Sequence, residues 1–294
     1  MRLRQLEPHL RGHLRGQDHI IPAVAKALVR AELGLSAPNR PRGSFLFVGP
    51  TGVGKTELAL CFSEHLFGSG RLVRFDLSEY QNQSSVEKLI GADRTDPGLL
   101  GRALAINSRG TLLFDELEKA HPLVLDLFLQ MLDPGRITFA TGDTASLAGW
   151  YLVFTSNIGS AEAMRMERST LATIEQAVLR RVAQGLRPEL AGRIEEKLVF
   201  ARLSSDAQRE ICELLVAREC ARLRELGHEL EITPEAVEFL VREGYDPRFG
   251  ARPMRRTIEK YLQEAVVQSL FTHGYARGRV VVSDQNRGLE IRAV

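Results

Sequence analysis

The sequence predicts an α/β protein: a parallel sheet covered by helices, followed by a smaller, mainly helical domain that ends in a β hairpin. Three observations carry this. Short apolar runs of β-prone residues alternate with helical stretches from Ser44 to Phe200, the pattern of strands buried on both faces. The first run leads straight into a glycine-rich loop and a helix. Beyond Leu203 the alternation gives way to long helical periodicity. The domains are therefore expected at 1–203 and 204–294.

The elements follow in order. Residues 17–34 place Ile20, Ile21, Val24, Leu28 and Ala31 on one face of an amphipathic helix. The proline- and glycine-rich segment Ala37 to Gly43 breaks it. Ser44–Val48 is the first strand, and Glu57–Phe67 a helix. Leu72–Asp76 is the second strand, Ser85–Ile90 a short helix, Thr111–Asp115 the third strand and Leu123–Leu132 a helix. Trp150–Thr155 is the fourth strand, and Leu198–Phe200 a fifth. Then come helices at Ser204–Glu225, at Thr233–Glu243 with Thr233 as cap and Pro234 at its first position, and at Arg256–Phe271. Arg279–Val282 and Leu289–Ile291 form the terminal hairpin.

Composition narrows the class. With 294 residues, 44% hydrophobic and 26% charged, the chain has the balance of a soluble globular protein and not of a disordered or collagen-like one. No apolar run approaches the roughly 20 residues of a membrane span, and the polar start does not read as a secretory leader. A net charge of +2 gives no reason to expect a grip on nucleic acid. The three cysteines, Cys61, Cys212 and Cys220, form no CxxC pair and no metal-ligand cluster in the sequence. They read as buried reduced thiols, hence a reducing, cytoplasmic location.

Gly49-Pro50-Thr51-Gly52-Val53-Gly54-Lys55-Thr56 has the G-x-x-x-x-G-K-T pattern of a P-loop, between a strand and a helix as that motif requires. Glycines let successive N–H groups face phosphate oxygens, and the helix start adds its positive end. Lys55 is expected at the β- and γ-phosphates and the Thr56 hydroxyl on Mg²⁺. Hydrolysis needs more. Leu112-Leu113-Phe114-Asp115-Glu116 supplies an acid for Mg²⁺, Asp115, and one to polarise water, Glu116, at the end of a buried strand. Taken alone, such an acidic pair is a solvated turn; the P-loop gives it meaning.

The P-loop, Leu-Phe-Asp-Glu and the following Leu117-Glu118-Lys119-Ala120-His121-Pro122 resemble the Clp/ClpB family of AAA+ ATPases, in particular the second ATPase module of ClpB-type disaggregases. The resemblance runs from about Arg15 to the C-terminus and includes Gly16-Gln17, Pro41 to Phe47, Ser78-Glu79-Tyr80, Thr155-Ser156-Asn157, Arg187-Pro188-Glu189-Leu190, Gly244-Tyr245-Asp246-Pro247 and Gly250-Ala251-Arg252-Pro253. It implies ATP and Mg²⁺ as ligands, Asn157 as the sensor that orients the attacking water, Arg193 as an arginine finger for a neighbouring subunit's site, and Arg252 as a second sensor on the phosphates. Without it, Asn157 caps a strand end, and Arg193 and Arg252 are surface arginines. It also implies Ile20 and Ile21 as a wall of the adenine pocket; both also fit the core face of their helix. His121 has no nucleophile nearby, and Phe128, Phe139 and Trp150 read as core or loop residues.

Three departures qualify the resemblance. The sequence reads as one module, either a stand-alone protein or an excised fragment. No Ile-Gly-Phe or Ile-Gly-Leu tripeptide for docking on a peptidase lies between Asn157 and Arg187. The substrate-gripping Gly-Tyr-Val-Gly loop is reduced to Asp93-Arg94-Thr95-Asp96-Pro97-Gly98, and no aromatic residue occurs between Tyr80 and Phe114. Leu99 and Leu100 are expected to be buried at the start of the next helix. The expected function is ATP hydrolysis by a homo-oligomeric ring, a hexamer by resemblance, that remodels a protein partner without ordinary aromatic-loop threading. A nucleotide-assembled regulatory ring is the alternative; a nucleic-acid remodelling helper is weaker, because the charge is near neutral.

Overall fold

The structure is a computed structural model that describes residues 2–37, 39–166, 169–246, 248–274, 276–284 and 287–292. Pro38 of the expected loop and Pro247 of the Gly-Tyr-Asp-Pro motif lie outside the described residues. The chain divides into two compact units, one of Met1–Pro50 with Gly54–Ala201 and the other of Thr51–Val53 with Arg202–Val294.

In the first unit the helices α1 (Leu6–His13) and α2 (Ile21–Glu32) precede strand β1 (Gly43–Val48). The chain continues through α3 (Lys55–Phe67), β2 (Leu72–Asp76), α4 (Ser85–Ile90), α5 (Gly98–Ile106), β3 (Gly110–Asp115) and α6 (Pro122–Leu132). A small hairpin of β4 (Arg136–Thr138) and β5 (Thr144–Ser146) leads to β6 (Trp150–Ser156), then to α7 (Ser160–Arg165), α8 (Leu171–Gly185), α9 (Pro188–Arg193) and β7 (Glu196–Val199). Five strands form a sheet in the order β2-β3-β6-β1-β7, and every neighbouring pair is parallel. All residues of β1, β3 and β6 are buried, which explains their unbroken apolar sequences: helices cover both faces, so no position is left for alternation.

Aromatic contacts knit the sheet to its helices. Phe114 of β3 stacks between Phe75 and Phe154, each at 5.4 Å, and meets Phe128 of α6 at 4.6 Å. Phe45 of β1 faces Phe62 of α3 at 5.9 Å. Phe128, Phe139 and Trp150 are all core residues.

The helix expected over 17–34 starts later, at Ile21, with Pro22 in its first turn. The preceding Gly16 has φ 71°, and Gln17 is fully buried with its amide turned onto the chain beyond β7. Its Nε2 donates to Ala201 O and its Oε1 accepts from the Ala201 N–H, both at 2.9 Å. A buried side-chain amide that satisfies both partners outweighs one more helical turn. Helices α1 and α8 are not evident from periodicity; the apolar residues that place them are few, Leu6 and Leu10 on one and Val178 and Val182 on the other. Leu99 corrects an expectation: it is 46% exposed while Leu100 is 1% exposed. Adjacent helical residues point about 100° apart, so α5 presents only Leu100 to the core.

The second unit contains α10 (Ser205–Glu225), β8 (Glu229–Ile232), α11 (Pro234–Gly244), α12 (Met254–His273), β9 (Arg277–Val282) and β10 (Leu289–Arg292). Ser204 and Thr233 cap α10 and α11 by accepting the Ala207 and Ala236 N–H groups at 3.2 and 3.3 Å. The terminal hairpin is part of a three-stranded sheet, because β8 pairs parallel with β9. The sequence hides this strand because it is four residues long and runs directly into the α11 cap. Burial pushes the Cys212 thiol up to about 12 and raises that of Cys220, which disfavours the thiolate; Cys212 belongs to the core of this unit and Cys220 packs against it.

Candidate active site

Residues 49–54 join β1 to α3, and the shape of this loop depends on glycine. Gly54 has φ 104°, and a Cβ there would lie 2.7 Å from Leu14 Cδ1. Both facts exclude an ordinary side chain. The first N–H groups of α3, from Lys55 onward, have no acceptor within the helix and are available to an anion.

Strand order explains how the remaining groups meet. β6 lies between β1 and β3, so the carboxyl ends of the three strands deliver Lys55, Asn157 and Asp115 to one edge of the sheet, where open parallel sheets bind ligands. Lys55 is 9% exposed. Its Nζ donates to Gly49 O at 2.5 Å, Pro50 O at 2.8 Å and Asn157 Oδ1 at 3.0 Å, which matches its three protons with three acceptors. The Asn157 N–H in turn donates to Glu118 Oε1 at 3.0 Å.

The second cluster surrounds Asp115. Its Oδ1 accepts from Thr155 Oγ1 at 2.8 Å and lies 3.5 Å from Thr56 Oγ1. Thr155 Oγ1 also accepts the Glu116 N–H at 3.1 Å, so one hydroxyl aligns both acids. Asp115 Oδ2 has a close charge contact of 2.5 Å with Arg74 Nε, but it lacks hydrogen-bond alignment and is buried, as is the unpartnered Glu118 Oε2. Asp115 Oδ1 and the Thr56 hydroxyl are hard oxygen donors 3.5 Å apart, a donor set that fits Mg²⁺. Glu116 has φ 60° and ψ 54°. A left-handed glutamate is strained, which is common where a side chain must be aimed.

Among the described residues, no hydrogen bond joins Ile20, Ile21, Arg193 or Arg252 to Lys55 or Asp115. Ile20 and Ile21 are 3% and 0% exposed, held beside β7, where the His19 ring donates to Val199 O at 2.9 Å. Arg193 sits at the end of α9 and donates from Nη1 to Leu129 O at 2.7 Å and Asp133 O at 3.2 Å, at the carbonyl end of α6, where a cation is favoured. Arg252 is exposed in the second unit, two residues before α12. Of the remaining loop residues, Gly52 has φ 74° and Val53 is 4% exposed.

Three participants are not apparent from the sequence. Glu118 binds Asn157 and is the strongest opposing charge on Lys55; the available signal is a third acid in Asp-Glu-Leu-Glu, turned back by the 3₁₀ turn at 117–119. Thr155 stands in the sequence only as part of a resembling tripeptide. Arg74 is an unexplained charge in the middle of a strand.

Burial pushes the Lys55 ammonium down from 10.5 to about 8, against the opposing pull of Glu118, Asp115 and Glu116. Because the folded value lies below the unfolded one, the unfolded chain binds more protons between these limits. The nucleotide-free fold should therefore gain stability as pH rises from about 8 to 10.5, by at most about 3 kcal/mol. The same rise removes the charge that meets phosphate, so ATP affinity should fall, approaching ~10-fold per pH unit. Titration of a fluorescent ATP analogue from about pH 7 to about pH 10 checks this, and a flat profile would refute it.

Comparison with known proteins identifies the family. Residues 40–197 match the AAA domain (Cdc48 subfamily) and residues 203–282 match the C-terminal, D2-small domain of ClpB protein. Chaperone protein ClpB of Aquifex aeolicus is 42% identical over 98% of this chain and 30% of its own length. Chaperone protein ClpB 2 of Synechocystis is 37% identical over 97% of this chain and 34% of its own. The ClpA homolog of Porphyra purpurea, an ATP-dependent Clp protease ATP-binding subunit, is 36% identical over 100% and 38%. The chain thus spans about a third of the length of these curated relatives. With a parallel sheet that gathers Lys55, Asn157 and Asp115 at one edge, and with both halves matched in order, the chain belongs to the AAA+ ATPases, in the Clp/ClpB family.

Proposed function

We propose that this chain is a Mg²⁺-dependent ATP-hydrolysing module of a cytoplasmic hexameric ring that remodels a protein partner. The convergence of Lys55, Thr56, Asp115, Glu116 and Asn157 carries the reading. Residues 1–203 form the ATPase body and 204–294 its lid. Pro50, Thr51, Gly52, Val53 and Gly54 wrap the phosphates, and Ile20 and Ile21 flank the base. Lys55 exchanges its carbonyl partners for the β- and γ-phosphates, a charge-assisted contact that favours binding. Thr56 and Asp115 hold Mg²⁺, which when bound neutralises charge on the phosphate oxygens. Glu116, aimed by its left-handed backbone, accepts a proton from the attacking water. Asn157, whose Oδ1 faces Lys55, keeps its amide N–H groups to orient that water. Arg193 acts on a neighbouring subunit's nucleotide, and Arg252 serves as a second phosphate sensor.

The relatives' names, chaperone and Clp ATP-binding subunit, support protein remodelling; the short loop favours a mode other than aromatic threading. Asp93 Oδ1 accepts the Thr95 N–H and hydroxyl at 2.7 Å, and Asp96 Oδ1 accepts the Gly98 N–H and Arg102 at 2.9 Å. A Cβ on Gly91 would meet Asp96 O at 1.7 Å, so the turn is closed on itself. The module acts instead by ring assembly and conformational change on a specific partner, or through a substrate contact elsewhere, such as the Arg136 to Ala145 loop. The assembled ring should fail to unfold a tagged fluorescent protein with ATP while it still hydrolyses ATP. Robust unfolding that survives charge reversal at Asp93 and Asp96 would overturn this mode.

A further inference from the structure

On the side of the first unit occupied by α1 and α3, three imidazoles and a thiol gather. His9 and His13 are four apart on α1, so they share a face, and Cys61 and His65 are likewise four apart on α3. Ligand atoms of His9, His13 and Cys61 all lie within 4.8 Å of one another. The His9 ring is 4.2 Å from that of His13 and 4.4 Å from that of His65. Cys61 is buried and the histidines are half-buried. The sequence shows no metal-ligand cluster around the cysteines, because these residues come from separate helices and only the fold unites them.

We propose that His9, His13 and Cys61 form a zinc site that clamps α1 to α3. Two imidazoles and a thiolate match the borderline-soft preference of Zn²⁺. Bond lengths of about 2.0–2.3 Å imply ligand separations of about 3.3–3.7 Å, so the observed set needs only a modest contraction. His13 has one ring nitrogen already fixed by the backbone. Its Nδ1 donates to His9 O at 2.9 Å, which fixes the tautomer and leaves the Nε2 lone pair for a metal. Burial, with His13 and His65 nearby, lowers the proton affinity of His9, which favours the neutral ligand form. Binding transfers the Cys61 proton to solvent as the sulfur–zinc bond forms. The clamp would brace the helix that opens at Lys55, since Leu14, just after α1, also borders Gly54.

The test uses the full chain without a histidine tag, stripped with a chelator and titrated with Co²⁺ and then Zn²⁺. One equivalent of Co²⁺ should give a thiolate-to-cobalt charge-transfer band with tetrahedral visible bands, displaced by one equivalent of Zn²⁺. Cys61→Ser should abolish the charge-transfer band, and His9→Gln or His13→Gln should weaken Zn²⁺ binding by about 100-fold or more. Zn²⁺ should raise the melting temperature of the parent and leave that of His13→Gln unchanged. If Cys61→Ser does not fold, the parent stoichiometry and the His13→Gln shift decide. No stoichiometric Co²⁺ band, a band that survives Cys61→Ser, or equal Zn²⁺ affinity in the histidine variants would overturn the proposal.

Discussion

Lys55→Ala should lose ATP binding by about 100-fold or more. The ammonium is a buried cation at the loop, with Gly49 O, Pro50 O and Asn157 Oδ1 as its partners in the nucleotide-free chain. Hydrogen bonds to charged groups contribute about 1.5–3 kcal/mol each, and two contacts to phosphate give this magnitude at about 1.4 kcal/mol per tenfold. The fold should survive, because alanine removes a charge held in the interior at a cost that its lowered proton affinity records. Equilibrium binding of a fluorescent nucleotide measures the loss, with the melting temperature as the folding control. Affinity within a few-fold of the parent would mean that the lysine does not meet phosphate.

Arg193→Ala should leave ATP binding nearly intact and lower turnover by about 1000-fold or more, the range for an arginine that neutralises transition-state charge. Within its own chain the guanidinium is tied to the carbonyls of Leu129 and Asp133, and the family resemblance assigns it to a neighbour's nucleotide. Specific activity should then rise with protein concentration. Mixing Arg193→Ala with Lys55→Ala subunits should restore part of the activity, since some interfaces pair an intact loop with an intact arginine. Rings of demonstrated mixed composition that show no recovery would refute an arginine supplied in trans.

The parts of this molecule that are legible in its sequence are those governed by local rules. The buried strands announce themselves through unbroken apolar runs such as Leu112 to Phe114, and the phosphate loop through glycines at fixed spacing before Lys55. The caps at Ser204 and Thr233 are readable for the same reason. What escapes depends on contacts distant in sequence. Gln17 delays the start of α2 because its amide finds Ala201. Leu99 faces solvent because only one of two adjacent leucines can reach the core. Strand β8 is a strand only because β9 lies beside it. At the site, the acids and the lysine are legible, but the network that aims them is not: Thr155 bridges Asp115 and Glu116, Glu118 holds Asn157, and Arg74 reaches Asp115 from the edge strand. The His9, His13 and Cys61 cluster belongs to the same category.

The most direct measurement is ATP turnover by Glu116→Gln, with nucleotide binding measured on the same preparation. Glutamine keeps the size and the strained backbone position of Glu116 but cannot accept a proton, so it separates an interaction made in the ground state from one made in the transition state. Loss of a general base costs about 100- to 10,000-fold. The account predicts Mg²⁺-dependent hydrolysis in the parent, a fall of that size in Glu116→Gln, and ATP affinity unchanged within a few-fold. Equal turnover in Glu116→Gln and the parent would contradict it.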